Sequence, residues 1–347
     1  MDFPQFISFT VTNACGLRCK MCGQWSDEGY IKNNPEQLKN EMGLGDWKKL
    51  VDEIAQHKIR FILIRGGEPF SFPGIIELLE YINRKGIFLS IDTNGMLLKK
   101  FAADLVRIGN MHITFSVDGP EEIHDEVRGI KGSFNKIKEN IALLNKLKKN
   151  STKRVSTSIC FTISKFSYNG LGQMPDVART MGIESLNIVP YYYFSEELGK
   201  IYDAELKENF NTTGFSWRGF HHDDSGIDFT IFKSEHDKYL AALNGIENFP
   251  YLPLTDDEYK VWFNDPFTPV RSTNCENVEN LIDIQPSGDA NFCVDFPDYS
   301  FGNVKNKSIQ EIWDSPEAVK FRNYRREKPL AVCYRCGAKY ISEIKED

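Results

Sequence analysis

Eight cysteines are the residues whose spacing points most directly to chemistry in this 347-residue chain. They form two tight groups near its two ends, and Cys160 stands alone between them in an apolar run. The N-terminal group is Cys15, Cys19 and Cys22, and the C-terminal group is Cys275, Cys293, Cys333 and Cys336. In a chain without an export signal, tight groups of cysteines favour metal ligation over disulfide bonds.

The N-terminal group offers one thiol fewer than a cubane iron–sulfur cluster needs. If Cys15, Cys19 and Cys22 hold a [4Fe–4S] cluster, one iron stays open for a small chelating ligand, as a catalytic site requires. Structural zinc is the alternative, but it needs a fourth nearby ligand, and the nearest histidine, His57, is distant in sequence. The pattern therefore favours a cluster with one open iron.

The C-terminal group reads Cys275-x12-Gly288-x4-Cys293, followed by the pair Cys333-x2-Cys336. Four thiols can ligate every iron of a second [4Fe–4S] cluster. They would equally satisfy tetrahedral zinc in a four-cysteine ribbon, and the cysteines alone leave this choice open. Cys160 is interpreted as a small, buried apolar side chain.

The elements that must position these cysteines alternate between β-rich runs and amphipathic helices, the pattern of parallel βα units. The predicted strands are Phe6–Val11, Phe61–Arg65, Phe88–Thr93, Met111–Val117, Arg154–Ile163 and Ser185–Val189. The predicted helices are Asp46–Lys58, Gly74–Lys85, Lys99–Ile108, Ser133–Lys148 and Gly172–Met181. Six such units predict an α/β fold with a partial (β/α)6 barrel, whose working residues lie at the carboxyl ends of the strands.

We divide the chain into three parts. Residues 1–200 form the barrel, residues 201–270 an insertion or bridge without a predicted fold, and residues 271–347 a small C-terminal domain. In this last part, a strand-turn-strand over Leu281–Gln285 and Ala290–Val294 precedes a helix near Ile309–Arg325.

The motifs at the strand ends resemble those of the radical S-adenosylmethionine (SAM) superfamily. Cys-x3-Cys-x2-Cys follows the first predicted strand, and four further motifs follow in the family's order. They are Arg65-Gly66-Gly67-Glu68-Pro69, Thr93-Asn94-Gly95, Ser116-Val117-Asp118-Gly119, and His124-Asp125 with Arg128. One Gly-Gly-Glu-Pro sequence would be weak evidence, because glycines there could serve only a turn. Several such motifs in the family's order are specific evidence for the resemblance.

The resemblance implies that S-adenosyl-L-methionine chelates the open iron and is cleaved reductively to a 5′-deoxyadenosyl radical, which abstracts a substrate hydrogen. The residues expected to contact it are Met21 beside the adenine, Gly66, Gly67, Glu68 and Pro69 around the amino group, Thr93, Asn94, Ser116 or Asp118 near the ribose, and Arg128 at the carboxylate. Met21 replaces an aromatic residue that is common in the family. For Arg128, an exposed salt bridge at a helix start is the alternative.

The C-terminal cysteines resemble the opening of the SPASM pattern, in the shortened form called twitch. The resemblance implies an auxiliary [4Fe–4S] cluster that transfers electrons. We therefore expect a dehydrogenase-like oxidation of a small molecule. A peptide- or protein-modifying maturase is the alternative, and a non-catalytic zinc or iron–sulfur protein is the alternative from another class. The dehydrogenase-like enzyme would cleave SAM, whereas the non-catalytic zinc or iron–sulfur protein would not.

Substrate contacts are less specified. Asp295 is a candidate proton acceptor, or a cap of the turn before Pro297. The aromatic run Tyr191–Tyr193 and the pair His221–His222 are candidate pocket residues, although such residues more often belong to a core or to solvated surface. A small molecule or short peptide is the expected substrate.

The bulk properties limit the partners and the location. The net charge of -7 argues against nucleic-acid and anionic-membrane partners, which favour a basic face. The N-terminal residues do not have the pattern of a secretion signal, and no apolar run predicts a membrane span. We expect a cytoplasmic enzyme that receives electrons from a donor such as flavodoxin or ferredoxin.

Overall fold

A computed structural model describes residues 2–250, 252–270 and 274–337. The domain prediction for 271–347 therefore lies partly outside the described residues. Within them, ten strands form one sheet in the order β10-β9-β8-β1-β2-β3-β4-β5-β6-β7. The strands are β1 Phe6–Thr10, β2 Phe61–Arg65, β3 Phe88–Thr93, β4 Met111–Ser116, β5 Val155–Ile163, β6 Ser185–Pro190, β7 Glu247–Asn248, β8 Leu281–Ile284, β9 Asp289–Asn291 and β10 Gly302–Asn303.

Strands β1 to β6 are parallel neighbours and form the partial (β/α)6 barrel that the sequence predicts. Helices connect and cover them. The helices over this part of the chain are α1 Leu44–Gln56, α2 Ile75–Arg84, α3 Ala102–Ile108, α4 Glu121–Arg128, α5 Ser133–Lys148 and α6 Met174–Met181. Helix α4 is the one that the sequence analysis did not predict.

Alternation along the strands separates the hydrophobic core from the barrel interior. On β2 and β3, the side chains of Ile62, Ile64 and Ile91 are fully buried in the core, which the helices cover. Their neighbours Arg65 and Asp92 line the cavity inside the barrel. The same strands thus hold the fold together with one face and build a polar interior with the other.

Three helices occupy most of residues 201–270, the part without a predicted fold, and the first of them begins within the predicted barrel, at Glu196. They are α7 Glu196–Phe210, α8 Phe229–Ala242 and α9 Asp256–Asn264, and the short strand β7 lies between the last two. Side chains cap their N-termini, as Thr255 does for α9 by accepting a hydrogen bond from the Glu258 amide at 3.3 Å. The sequence analysis missed these helices because the region's many aromatic residues obscure a helical period.

The C-terminal part extends the barrel sheet. Strand β8 pairs in parallel with β1, with Ser8 opposite Asp283, and the β8–β9 turn makes the predicted hairpin. The predicted single helix near Ile309–Arg325 is two helices, because Ser315 and Pro316 start a new one. The helices of this part are α10 Asn277–Asn280, α11 Ile309–Trp313 and α12 Pro316–Glu327. The pairing of β8 with β1 sets the C-terminal cysteines beside the barrel.

Among the described residues, the structure contains no helix long and apolar enough to cross a membrane.

Candidate functional site

A cavity of about 370 Å³ opens at the carboxyl ends of the barrel strands. Cys15, Cys19 and Cys22 all line it, so the structure brings the N-terminal thiols together. It also brings most of the predicted cofactor residues to the same wall. Those that line the cavity are Met21, Gly66, Gly67, Thr93, Asn94, Ser116 and Arg128.

The three N-terminal thiols lie among nitrogen donors. The amide of Leu17 donates to the Cys15 sulfur at 3.4 Å, and the amide of Trp25 donates to the Cys22 sulfur at 3.3 Å. Such N–H groups stabilise sulfur that carries negative charge. Without a metal, burial raises the pKa of Cys15 to about 11 and that of Cys22 to about 12. The thiols therefore become thiolates when they ligate a metal.

Side chains from two other motifs also contact these sulfurs. The Arg128 guanidinium donates to the Cys19 sulfur at 3.6 Å, and the Asn94 amide donates to the Cys15 sulfur at 3.8 Å. Asn94 directly follows β3, whereas Arg128 ends α4, the helix that follows β4. The predicted motifs thus converge on one group of thiols.

The Gly-Gly-Glu-Pro loop packs directly against the loop that carries the cysteines. The Gly67 amide donates to the Thr12 carbonyl at 2.7 Å. A β-carbon at Gly66 would lie 2.4 Å from that carbonyl oxygen, and one at Gly67 would lie 2.4 Å from the Asn13 carbonyl oxygen. Only glycine allows this close approach at both positions, and Gly66 also has a φ of 155°, which residues with a β-carbon rarely adopt.

Glu68 lies behind the cavity wall. Its side chain is 1% exposed and accepts hydrogen bonds from the Thr93 hydroxyl at 2.8 Å and from the amides of Asn94 and Phe70 at 2.9 and 3.1 Å. Pro69, buried beside it, starts a short 3-10 turn. In this arrangement Glu68 joins the second and third strand ends, and its contact with the cofactor's amino group stays a prediction.

Arg128 forms a buried ion pair with Asp118. The Arg128 guanidinium lies 2.5 Å from the Asp118 carboxylate, and Asp118 is fully buried. Arg128 is the last residue of α4, so the alternative of an exposed salt bridge at a helix start is wrong. Asp118 also accepts from the Thr162 amide at 3.1 Å. Asp118 therefore holds Arg128 against Cys19 from behind the wall.

A second, smaller cavity of about 30 Å³ brings together Cys275, Cys293, Cys333 and Cys336. Apolar side chains form most of the rest of its wall. Those side chains are Val278, Phe292, Val294, Phe296 and Val332. Burial raises the pKa of the Cys275 and Cys293 thiols, so they too need a metal to become thiolates.

The two cavities share a wall. Val294 and Asp295, which directly follow Cys293, line both of them. The Asp295 carboxylate accepts a hydrogen bond from Arg65 at 2.8 Å. Its alternative role as a cap of the turn before Pro297 stays a prediction. The candidate proton acceptor thus lies between the two groups of cysteines.

The structure also adds residues that the sequence analysis missed. Asp92 lines the main cavity beside Thr114, and alternation along β3 could have revealed that Asp92 faces inward. Cys160 lines the cavity as well, so its interpretation as a buried core residue is wrong. Both residues lie on the strand face that points into the barrel interior, which is polar.

The aromatic candidates divide into two groups. Tyr191 and Tyr192 line the main cavity with Phe220. His222 packs against Tyr191 with ring centroids 5.8 Å apart, and His221 packs against Trp217 at 6.1 Å. Tyr191 and Tyr192 therefore reach the cavity, and the two histidines contact other aromatic side chains. Tyr193 is buried outside the cavity lining, and its hydroxyl donates to the Trp262 carbonyl at 2.8 Å.

Comparison with known families identifies the class of protein that this site defines. The family described as the radical SAM superfamily matches residues 9–164, and the family described as an iron–sulfur cluster-binding domain matches residues 275–337. Together they cover more than half of the chain. The protein belongs to the radical SAM superfamily and carries a C-terminal SPASM domain.

Individual relatives are distant but match along nearly the whole chain. The antilisterial bacteriocin subtilosin biosynthesis protein AlbA of Bacillus subtilis is 23% identical over 99% of this chain and 69% of its own length. The Fe-coproporphyrin III synthase of Methanosarcina barkeri is also 23% identical, over 96% of this chain and 81% of its own length.

Solved structures support the same fold. Streptococcus suis SuiB bound to S-adenosylmethionine superposes with a TM-score of 0.66 at 15% identity, covering 100% of this chain and 75% of SuiB. SuiB bound to its precursor peptide SuiA gives a TM-score of 0.65 at 16% identity, over 100% and 74% of the two chains. At this identity the likeness concerns the fold alone.

Membership of this family implies the cofactors. The radical SAM domain binds SAM and a [4Fe–4S] cluster, and the C-terminal domain ligates auxiliary iron–sulfur. The residues present fit both clusters. Three thiols with N–H donors border a cavity large enough for a small molecule, and four further thiols surround a small, largely apolar cavity. The zinc alternatives left open by the cysteine spacing are thereby replaced by iron–sulfur clusters.

Proposed function

We propose that this protein oxidises a small, polar molecule by two electrons, using SAM in the main cavity and the auxiliary cluster as the electron acceptor. The observation that carries the proposal is the shared wall: Val294 and Asp295 border both the cavity of the N-terminal thiols and that of the C-terminal thiols. A substrate in the main cavity would therefore lie beside the protein segment that separates it from the second cluster.

When bound, the N-terminal cluster supplies the electron that cleaves SAM to a 5′-deoxyadenosyl radical. Cys15, Cys19 and Cys22 would hold that cluster. Gly66 and Gly67 would let the backbone approach SAM, and Arg128, already in contact with the Cys19 sulfur, would hold its carboxylate. Enclosure by Met21 and the surrounding aromatic rings would keep the radical from solvent.

A two-electron oxidation removes two hydrogens from the substrate: one as a hydrogen atom, which the adenosyl carbon would take, and one as a proton with a separate electron. A base would take the proton. Cys275, Cys293, Cys333 and Cys336 would hold the auxiliary cluster, which would supply the acceptor for that electron. Two carboxylates border the cavity, Asp295 and Asp92. Burial raises the pKa of Asp92, which increases its affinity for a proton. Asp295 forms an ion pair with Arg65. We therefore propose that Asp92 accepts the proton and that Asp295 holds Arg65 in place.

The inward residues support a polar substrate. Thr114, Ser116 and Thr162 present hydroxyl groups beside Asp92 and Arg65. Such convergent polar groups fix the orientation of a ligand in an otherwise enclosed site. A hydroxylated small molecule matches these donors and acceptors. The electron donor would be a low-potential protein such as flavodoxin or ferredoxin in the cytoplasm.

A peptide substrate is the second candidate. It is favoured by the match to AlbA over 99% of this chain and by the fold of SuiB, which was crystallised with its precursor peptide. In that case a side chain of the peptide would enter the main cavity past Tyr191 and Tyr192.

One experiment tests the oxidation and separates the two substrates. Anaerobic protein with SAM and dithionite is incubated with a panel of hydroxylated small molecules and a panel of peptides. We expect one 5′-deoxyadenosine per product, and a product lighter by two hydrogen atoms. A Cys293→Ala variant should form 5′-deoxyadenosine but little of this product. If Cys293→Ala gives as much product as the wild type, the auxiliary cluster is not the acceptor.

A further inference from the structure

The cavity of the four C-terminal cysteines contains two charged side chains in an otherwise largely apolar wall. They are Arg325 and Asp295. Asp295 already pairs with Arg65, on the side that faces the main cavity. Arg325 comes from α12 and is 4% exposed. A buried guanidinium therefore borders the auxiliary cluster's site.

Arg325 is held in place by the end of its own helix. Its Nη1 donates to the Lys328 carbonyl, the C-cap residue of α12. The neighbouring Arg326 differs: it is exposed and pairs with Glu279 at 2.6 Å. Two consecutive arginines thus have opposite environments, one in the wall of the cavity and one on the surface.

The thiols account for the buried charge of Arg325. Burial alone would lower the pKa of its guanidinium, but the charges of the four thiolates outweigh burial and raise that pKa. The contributing residues, in decreasing order, are Cys333, Cys275, Cys293 and Cys336. Arginine keeps its charge in proteins, so Arg325 is a buried cation in the wall that also contains all four cysteines.

We propose that Arg325 sets the reduction potential of the auxiliary cluster and holds it high enough to take an electron from the substrate. This inference rests on the proposed function, in which that cluster is the acceptor. Four thiolates give the site a negative charge, and one added electron increases it. An apolar wall penalises added charge, and a nearby buried cation offsets the penalty. Arg325 thus acts through the cluster and not on the substrate.

The test compares midpoint potentials of the auxiliary cluster in anaerobic, reconstituted proteins, measured by redox titration with electron paramagnetic resonance. Added SAM changes the signal of the cluster that binds it, which distinguishes the two. We expect Arg325→Gln to lower the midpoint by the equivalent of at least about tenfold in the equilibrium constant for reduction, about 59 mV for one electron. Arg325→Lys should retain most of the potential, and Arg326→Gln is the matched control.

An auxiliary cluster that keeps its iron and shows the same midpoint in Arg325→Gln as in Arg326→Gln overturns the inference. If Arg325→Gln loses its auxiliary iron, Arg325→Met decides, because it removes the charge but keeps a long apolar side chain against the apolar wall. A midpoint in Arg325→Met equal to that in Arg326→Gln overturns the inference. If the potential shifts but Cys293→Ala still oxidises substrate, Arg325 sets the potential and the proposed acceptor role is wrong.

Discussion

Arg65 and Asp295 are 230 positions apart in sequence, and a guanidinium nitrogen of one lies 2.8 Å from a carboxylate oxygen of the other. Arg65 ends β2 and begins the Gly-Gly-Glu-Pro motif, whereas Asp295 follows Cys293 in the C-terminal part. The pair is largely withdrawn from solvent, with side chains 23% and 21% exposed. It fixes the wall that the two cavities share.

Removal of the Asp295 charge tests this wall. In Asp295→Asn, Arg65 loses its partner in a partly buried site, which costs stability and lets the wall move. We expect at least about tenfold less oxidised product per 5′-deoxyadenosine, since a one-ångström displacement can cost a hundredfold in rate. Product and 5′-deoxyadenosine are measured by mass spectrometry.

Asp92→Asn tests the assignment of the proton. An amide cannot accept the proton, so SAM cleavage should continue while product falls by about 100-fold or more, the usual contribution of a positioned base. Ser90→Ala is a matched control, because Ser90 lies two residues earlier on the same strand and the same face. Full product formation by Asp92→Asn, together with its loss in Asp295→Asn, would return the role of proton acceptor to Asp295.

Gly67→Ala tests the contact between the two motif loops. The added carbon would meet the Asn13 carbonyl oxygen at 2.4 Å, and overpacking against backbone costs about 1–3 kcal/mol or more. We expect loss of the N-terminal cluster and of SAM cleavage, with the auxiliary iron retained. Gly45→Ala is the control, since an added β-carbon there meets nothing within 4 Å. Equal iron content in the two variants would contradict the role given to Gly67.

The burial of His124 predicts that the folded protein becomes less stable in acid. Burial lowers the pKa of His124 from 6.5 to about 3. Below about pH 6.5 the unfolded chain therefore binds a proton that the folded chain excludes, and stability falls by about 1.4 kcal/mol per pH unit. Asp283 acts oppositely, because burial raises its pKa to about 6 and favours the folded state in acid.

A His124→Gln variant isolates that contribution. The midpoint of thermal unfolding should fall less on acidification in the variant than in the wild type. Both proteins carry the same clusters, so acid damage to the clusters affects them equally. Parallel curves for the two proteins would show that His124 does not exclude a proton.

Much of the fold follows from local patterns. The period of the apolar residues and the turn residues predicted β2 and β3 to the residue, and the other four barrel strands within one residue at either end. These strands alternate, or they carry short apolar runs whose length and flanking turn residues favour a strand over a helix. The pairing of β8 with β1 was not predictable, because it depends on contacts between residues far apart in sequence.

In the site, too, local sequence patterns were predictable, and contacts between residues far apart in sequence were not. The cysteines and the strand-end motifs were identifiable, since their chemistry needs particular residue types at fixed spacing. Glu68 was assigned to the cofactor, yet its contacts are with Thr93 and Asn94 behind the wall. Asp92 and Arg325 were missed because each has significance only through what the fold places beside it.

We predict that two clusters lie on either side of one wall and that the N-terminal one activates SAM. The most direct measurement is iron content together with 5′-deoxyadenosine formation in anaerobic wild-type and Cys19→Ala protein. We predict about eight iron atoms per wild-type chain and about four in the variant, with no 5′-deoxyadenosine from the variant. Equal iron in both proteins, or 5′-deoxyadenosine from Cys19→Ala, would contradict the claim.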